Sequence, residues 1–217
     1  MERKIVHSHG YWHRTRHIHP INSQKQTIFF QLRDASKDLY PMLLDTAAAG
    51  HNAAGESAED ALRELYEELG IQIERINQSH VKLFGKNLKN PMDGLLIDIL
   101  SPHISIHEQT HPKVMDYEIQ DVSFLDSPLS VDDFDLDIKE VFAIVEFSQN
   151  DLYNLFTHKA DRVKNIAGKK FINDIELVDF IAEWSFADFL PSPDNYFGKC
   201  VDIAKRIANG ERIFLGI

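Results

Sequence analysis

The sequence predicts an α+β fold, and three observations carry that expectation. Short runs rich in β-branched and aromatic residues, bounded by turn-forming residues, recur through the first two thirds of the chain. Two segments, one over 58–69 and one after Pro193, place apolar residues at helical spacing. The composition, 43% apolar and 26% charged, is that of an ordinary globular protein. At 217 residues the chain has room for one large domain with a sizeable core. The expected organisation is a single domain over 1–217, with a core at about 11–147 and a C-terminal helical extension at about 148–217.

The elements follow in order. Ile18 to Leu32 reads as two strands around the polar turn Asn22-Ser23-Gln24-Lys25; the second, Thr27 to Leu32, is almost wholly β-branched or aromatic. Asp34 to Pro41 is a loop, and Leu43 to Ala48 another strand or extended segment. Ala58, Ala61, Leu62, Leu65 and Leu69 form one apolar stripe of a helix. Ser57 is its expected N-cap, with Asp60 in the capping-box position, and Gly70 its C′ residue. Strands are expected at Leu95–Leu100, Tyr117–Phe124 and Val141–Phe147. Ser148 caps a short helix through about Thr157. Pro193 enters the first turn of a last helix, with Asp194 near its start and Gly210 after it. Ile175 to Leu190 fits strand and helix equally well.

Charge is unevenly placed. The chain carries a formal net charge of −11. Residues 50–71 hold six acids against Arg63, and residues 116–140 hold nine against Lys139, so the remainder is slightly basic. Five of the 11 histidines (His7, His9, His13, His17, His19) fall in the first 19 residues. The acidic balance disfavours a nucleic-acid polymer as partner. It is compatible with a small phosphorylated ligand, because a bound divalent cation reverses the local sign. The single Cys200 excludes a disulfide within the chain and suits a reducing compartment. Neither an N-terminal apolar leader nor an apolar run of membrane-spanning length is seen, so the expected location is the cytoplasm and no membrane partner is expected. A homodimer is left open.

The helix over 58–69 carries the most legible chemistry. Glu64, Glu67 and Glu68 are three and four residues apart and share a face. Three crowded carboxylates repel one another unless a cation sits among them, and hard oxygen ligands suit Mg²⁺ or Mn²⁺. An acidic helix face without such a cation is simply solvated, which is the commoner case.

The stretch Gly50-His51-Asn52-Ala53-Ala54-Gly55-Glu56, followed by Arg63-Glu64-Leu65-Tyr66-Glu67-Glu68-Leu69-Gly70-Ile71, resembles the Nudix box. Six residues rather than the usual seven separate Glu56 from Arg63, which shifts Glu56 by one position and puts their supporting ion pair in question. The resemblance implies an α/β/α sandwich with a mixed sheet, and Mg²⁺-dependent hydrolysis of a nucleoside diphosphate linked to another group. It implies that Glu64, Glu67 and Glu68 hold the metal against the diphosphate, with Arg63 in support. Glu64 is one candidate general base and Glu118 another. Gly50 lets the backbone pass close to the site.

The flanks add a second resemblance. Tyr11-Trp12-His13-Arg14-Thr15, then Arg33-Asp34-Ala35-Ser36-Lys37 and Ala49-Gly50-His51, look like the isopentenyl-diphosphate isomerase branch of the Nudix superfamily. That likeness implies a second divalent site at His13, His51, Asp116 and Glu118, and diphosphate binding by Arg33 and Lys37. The isomerase needs a Cys immediately before the Gly-His pair, to move a proton on carbon; here Ala49 stands there. Hydrolysis of a small nucleotide-like diphosphate is therefore the leading expectation. An isomerase-like enzyme and a non-catalytic nucleotide-binding protein are the alternatives. Tyr11, Trp12, Trp184, Tyr196 and Phe197 are aromatic residues able to stack a base or, more commonly, to pack in the core.

Overall fold

The computed structural model describes residues 3–37, 39–53, 55–57, 59–110, 113–173, 176–213 and 216–217. Helix α1 (Arg3–His9) leads into strands β1 (His13–Asn22) and β2 (Thr27–Arg33), then the short strands β3 (Leu44–Thr46) and β4 (Ala48–His51). Helix α2 (Arg63–Leu69) follows a 3-10 turn at Asp60–Leu62 and feeds β5 (Ile71–Arg75), β6 (His80–Gly85) and β7 (Met92–Asp98). A long hairpin, β8 (His103–Thr110) and β9 (Lys113–Asp126), precedes β10 (Val141–Ser148) and α3 (Gln149–Phe156). Strands β11 (Arg162–Lys164), β12 (Ala167–Ile172), β13 (Glu176–Asp179) and β14 (Glu183–Ser185) lead to α4 (Tyr196–Ala208). No helix among the described residues is long and apolar enough to cross a membrane.

The sheet runs β13-β12-β10-β2-β1-β9-β7-β6-β5. It is mixed, as expected: β1 and β9 pair in parallel, and the other pairs are antiparallel. Both faces of its centre are covered, which is why β2 reads as a continuous apolar run rather than alternating. Phe29 packs on one face with Leu65, Leu69, Ile71 and Phe134. Phe30, the next residue, packs on the other with Phe147, Phe197, Val201 and Ile207.

The central strands splay apart. β1 and β2 pair only at Ile21–Ile28 and Asn22–Thr27. Beyond that point β4 takes the place beside β1, and β3 the place beside β2. The opening brings residues of β1, β2, β4 and β9 to a common mouth.

The expected helix over 58–69 forms with a tighter start. Ala61, Leu62, Leu65 and Leu69 are buried as the stripe predicts; Ala58 lies outside the described residues. Ser57 and Asp60 exchange hydrogen bonds, Asp60 N to Ser57 Oγ at 3.3 Å and Ser57 N to Asp60 Oδ2 at 2.8 Å, but Ser57 is not the N-cap expected of it: the turn starts only at Asp60, after Glu59, and α2 at Arg63, after Leu62. Gly70 closes the helix with φ 70°, and its N–H bonds to the Tyr66 carbonyl at 2.9 Å. Ser148 caps α3 through Asp151 N. The last helix begins later than the proline suggested, because Asn195 takes a left-handed conformation and leaves Pro193 and Asp194 in the preceding turn. The C-terminal segment contains the two helices expected and also four strands. Within Ile175–Leu190 the described residues form β13 and β14 and a 3-10 turn at Phe186–Asp188. Trp184, Tyr196 and Phe197 are buried core residues, whereas Tyr11 and Trp12 are half-exposed, Trp12 lying against Tyr117 with ring centroids 5.3 Å apart.

Candidate functional site

Two adjoining cavities open at the mouth of the splayed strands. One is lined by Arg33, Lys37, Arg63, Glu64, Glu67, Glu68 and Glu140. The other is lined by Thr15, His17, Tyr40, Asp45, His107, Asp116, Glu118 and Gln120. Arg33, Ala49, Gly50 and His51 belong to both. The structure thus brings together all three expected acids of α2, both expected diphosphate-binding cations and the Gly50-His51 pair.

In the first cavity the three glutamates are not equivalent. Glu67 is exposed, Glu64 largely buried and Glu68 buried. The Glu64 carboxyl lies against the Gly50 backbone so closely that a Cβ on residue 50 would fall inside it. Burial pushes Glu64 up from the ordinary carboxylate range, with Arg63 pulling the other way. Glu68 is pushed up to about 8, chiefly by burial, although its Oε2 accepts from Ala49 N at 3.2 Å and Gln31 Nε2 at 3.4 Å.

The Glu56–Arg63 ion pair forms despite the short spacing: Arg63 Nη1 is 2.9 Å from Glu56 Oε1. The 3-10 turn between them advances about 2 Å per residue rather than 1.5 Å, which lengthens the reach of the shortened segment. Arg63 also approaches Glu64 at 3.2 Å and donates to the His51 and Asp60 carbonyls at 3.1 and 3.2 Å. It ties the acidic helix to β4. Arg33 is held by Asp45 at 2.8 Å and donates to the Leu39 carbonyl, and Lys37 pairs with Glu140.

Glu68 carries a pH signature. A carboxyl raised to about 8 in the folded chain and ordinary when unfolded contributes stability in full below about pH 4.5, and that contribution is lost as pH rises through about 8. Metal-free protein is expected to lose stability on this account between pH 5 and 8, read as a lower melting temperature at pH 8. Glu68→Gln stays neutral and should remove that part of the slope. Thermal unfolding in EDTA at both pH values checks this; identical slopes for the two proteins would exclude it.

The second cavity is a consequence of strand register. His13 and Thr15 on β1 stand opposite Glu118 and Gln120 on β9. Asp116, Glu118 and Gln120 share one face of β9, because side chains alternate with period two. Across the other edge of β9, His107, Ser105 and His103 stand opposite the same three residues. His51 on β4 pairs with Thr15. The result is a patch of His13, Asp116 and Glu118 whose ligand atoms all lie within 4.8 Å of one another. A second such group is His7, His13 and His51.

His7 is the residue that sequence reasoning did not select. It lies on α1, which packs against β9, and its Nε2 is 3.5 Å from Asp116 Oδ1. Its only signal was membership of the histidine-rich N-terminus.

The chemistry of this patch suits a divalent cation. His13 Nε2 and Asp116 Oδ1 are buried and face each other at 3.3 Å without hydrogen-bond geometry. Imidazole and carboxylate together are ligands for Mn²⁺, Zn²⁺ or Fe²⁺ as well as Mg²⁺. Burial opposes a charge on His13, but Asp116 and Glu118 outweigh it and lift its pKa to about 10. Burial likewise opposes ionisation of Glu118, and His13, His17 and Gln120 hold it below the usual range. Ala49 lies at the meeting of the two cavities, and its amide donates to Glu68. Cys200 is buried in the opposite core cluster with its pKa raised by burial, so it supplies no reactive thiol here.

The chain is 30% identical over 163 residues to an uncharacterized Nudix hydrolase of Clostridium acetobutylicum, covering 74% of this chain and 69% of that one. It is 35% identical over 110 residues to Nudix hydrolase 3 of Arabidopsis thaliana; the match takes in 46% of this chain and 14% of that protein. Among solved structures, a MutT Nudix hydrolase from Burkholderia pseudomallei aligns at 14% identity and a TM-score of 0.43, covering 64% of this chain and 84% of that one. No protein-family model matches the chain. With the box residues gathered on α2 and β4, the chain belongs to the Nudix hydrolase superfamily.

Proposed function

We propose that this chain is a divalent-metal-dependent hydrolase that cleaves the diphosphate linkage of a small nucleotide-like compound at the mouth between β1 and β2. The observation that carries the proposal is that one cavity is lined by Glu64, Glu67 and Glu68 together with Arg33, Lys37 and Gly50. Carboxylates for a cation and basic groups for phosphate oxygens are what a metal-bound diphosphate requires. Mg²⁺ or Mn²⁺ held by the three glutamates would neutralise the phosphoryl oxygens and make a bound water more acidic.

The other roles fall to the chain itself. Arg33 and Lys37 hold the diphosphate, Arg33 as a planar fork kept in place by Asp45 and Lys37 as a point charge drawn from Glu140. Arg63 holds α2 in register with β4 through the His51 carbonyl. Glu64 accepts the proton of the attacking water, with Glu118 as the second candidate. His13, His51, Asp116 and Glu118, joined by His7, form a second cation site beside the first. A reducing, cytoplasmic setting suits a chain whose single thiol is buried.

The His and carboxylate patch also favours a second reading, isomerisation of a prenyl diphosphate. Ala49 speaks against it, since no ionisable group stands where that chemistry needs one. A panel of nucleoside di- and triphosphates, nucleotide sugars, dinucleotides and prenyl diphosphates, assayed with Mg²⁺ and with Mn²⁺, separates the readings. Metal-dependent cleavage of a diphosphate linkage into two phosphorylated products, one of them phosphate itself where the substrate ends in a free phosphoryl group, supports hydrolysis. Conversion of isopentenyl to dimethylallyl diphosphate would establish the isomerase. Tight nucleotide binding without turnover would establish a sensor.

A further inference from the structure

Behind the second cavity a line of polar side chains runs from Glu118 to the turn before α4. Gln120 Nε2 is 2.7 Å from Glu118 Oε2. Gln120 Oε1 is 2.7 Å from His103 Nδ1, directly across the β8–β9 ladder. His103 Nε2 is 2.7 Å from Asp194 Oδ2. Gln120 and His103 are both buried. Ser192 and Lys199 complete the Asp194 carboxylate, each at 2.6 Å, and the Tyr196 ring covers His103 at 4.7 Å.

Donor and acceptor accounting fixes the direction of every bond. A carboxylate only accepts, so the amide must turn its NH₂ end to Glu118 and its carbonyl to His103. His103 therefore donates from Nδ1. Asp194 also only accepts, so His103 donates from Nε2 as well. His103 thus donates at both ring nitrogens, to Gln120 Oε1 and to Asp194 Oδ2. Turning the amide over would set its carbonyl oxygen 2.7 Å from a carboxylate oxygen, two acceptors face to face.

From this geometry we infer that Gln120, His103 and Asp194 are positioning residues for the second cation site. They hold Glu118 by Oε2, so that Oε1, which is 3.8 Å from His13 Nε2, is the oxygen presented to a cation. The C-terminal segment thereby sets the geometry of a ligand on β9. The inference rests on the proposal that Glu118 belongs to a cation site. Outer partners of this kind typically change metal affinity about 10- to 100-fold when lost.

Co²⁺ tests it, because a site with histidine ligands gives visible d–d absorption distinct from that of an all-oxygen box. Titration of the full chain with Co²⁺ is expected to give a histidine-type spectrum, with affinity about 10- to 100-fold weaker in Gln120→Leu and His103→Phe. Asp194→Glu, which keeps the carboxylate, should stay near wild type, and Asp194→Leu should fall with the others. Circular dichroism confirms that each variant is folded. ¹⁵N spectra of the wild-type chain provide a reading independent of any variant: both His103 ring nitrogens should appear protonated at pH 7. Unchanged Co²⁺ affinity in folded Gln120→Leu and His103→Phe, or a His103 ring with one proton, would overturn the positioning chain alone. A wild-type chain with no histidine-type spectrum would overturn the cation site itself, and the chain with it.

Discussion

Glu64→Gln is expected to lower metal-dependent diphosphate hydrolysis by about 10³-fold or more while leaving the fold intact. The loss is large because Glu64 stands in two proposed roles, as a ligand on the acidic face of α2 and as the acceptor of the water's proton; the second alone is typically worth about 10²- to 10⁴-fold. The fold should survive because Gln has the same shape. Arg63 keeps its bonds to Glu56 and to the His51 and Asp60 carbonyls, and Leu65 and Leu69 still anchor the helix. Glu67→Gln should act in the same direction through the metal alone, and Arg33→Met should raise KM. Steady-state kinetics beside a melting curve separates these effects. Full activity in a folded Glu64→Gln chain would remove Glu64 from the mechanism.

Gly50→Ala is expected to cost activity without removing any chemical group. A methyl at this position would fall inside the Glu64 carboxyl group, so either the carboxyl swings away or β4 shifts against β1, where Gly50 pairs with Arg16. A displacement near 1 Å at a reacting group can cost about 10²-fold in rate, and the crowding itself should cost about 1–3 kcal/mol of stability. A double-mutant cycle isolates the cause. In a Glu64→Ala background the stability cost of Gly50→Ala should largely vanish, because the atoms it strikes are gone. An equal cost in both backgrounds would mean that the close approach is not what requires glycine.

The parts of this molecule legible from sequence are those governed by local rules. The Ser57–Asp60 hydrogen bonds, the left-handed Gly70 and the buried stripe on α2 all follow from spacing alone, although the helix itself starts later than Ser57. So does β2, whose apolar run reflects burial on both sides. The start of α4 was misplaced because Asn195 takes a left-handed turn, something helical spacing does not encode. The segment around β13 and β14 fits both patterns because its strands are very short: β13 closes a hairpin on β12, and β14 reaches back past both to pair with β11.

The site shows the same division. The acids of α2 lie on one helical face and could be read together. His13, Asp116 and Glu118 were selected through likeness to known enzymes, and what brings them into contact is the parallel register of β1 and β9. Gln120 and His103 had no local signal, and His7 only its place in the histidine-rich N-terminus. Their significance depends on α1 packing on β9 and on His103 of the β8–β9 hairpin meeting Asp194, contacts between residues far apart in the chain. The short spacing between Glu56 and Arg63 leaves their ion pair in question, and in the structure it forms, with a 3-10 turn in the intervening segment.

The most direct test of the central claim is hydrolysis in ¹⁸O-labelled water, with the diphosphate panel, Mn²⁺ and mass spectrometry of the products. The account predicts that at least one nucleotide-like compound yields a phosphate product carrying one ¹⁸O, and that the label disappears with EDTA or in Glu64→Gln. Label in the organic alcohol instead of the phosphate, or labelled phosphate formed equally well by Glu64→Gln, would contradict it.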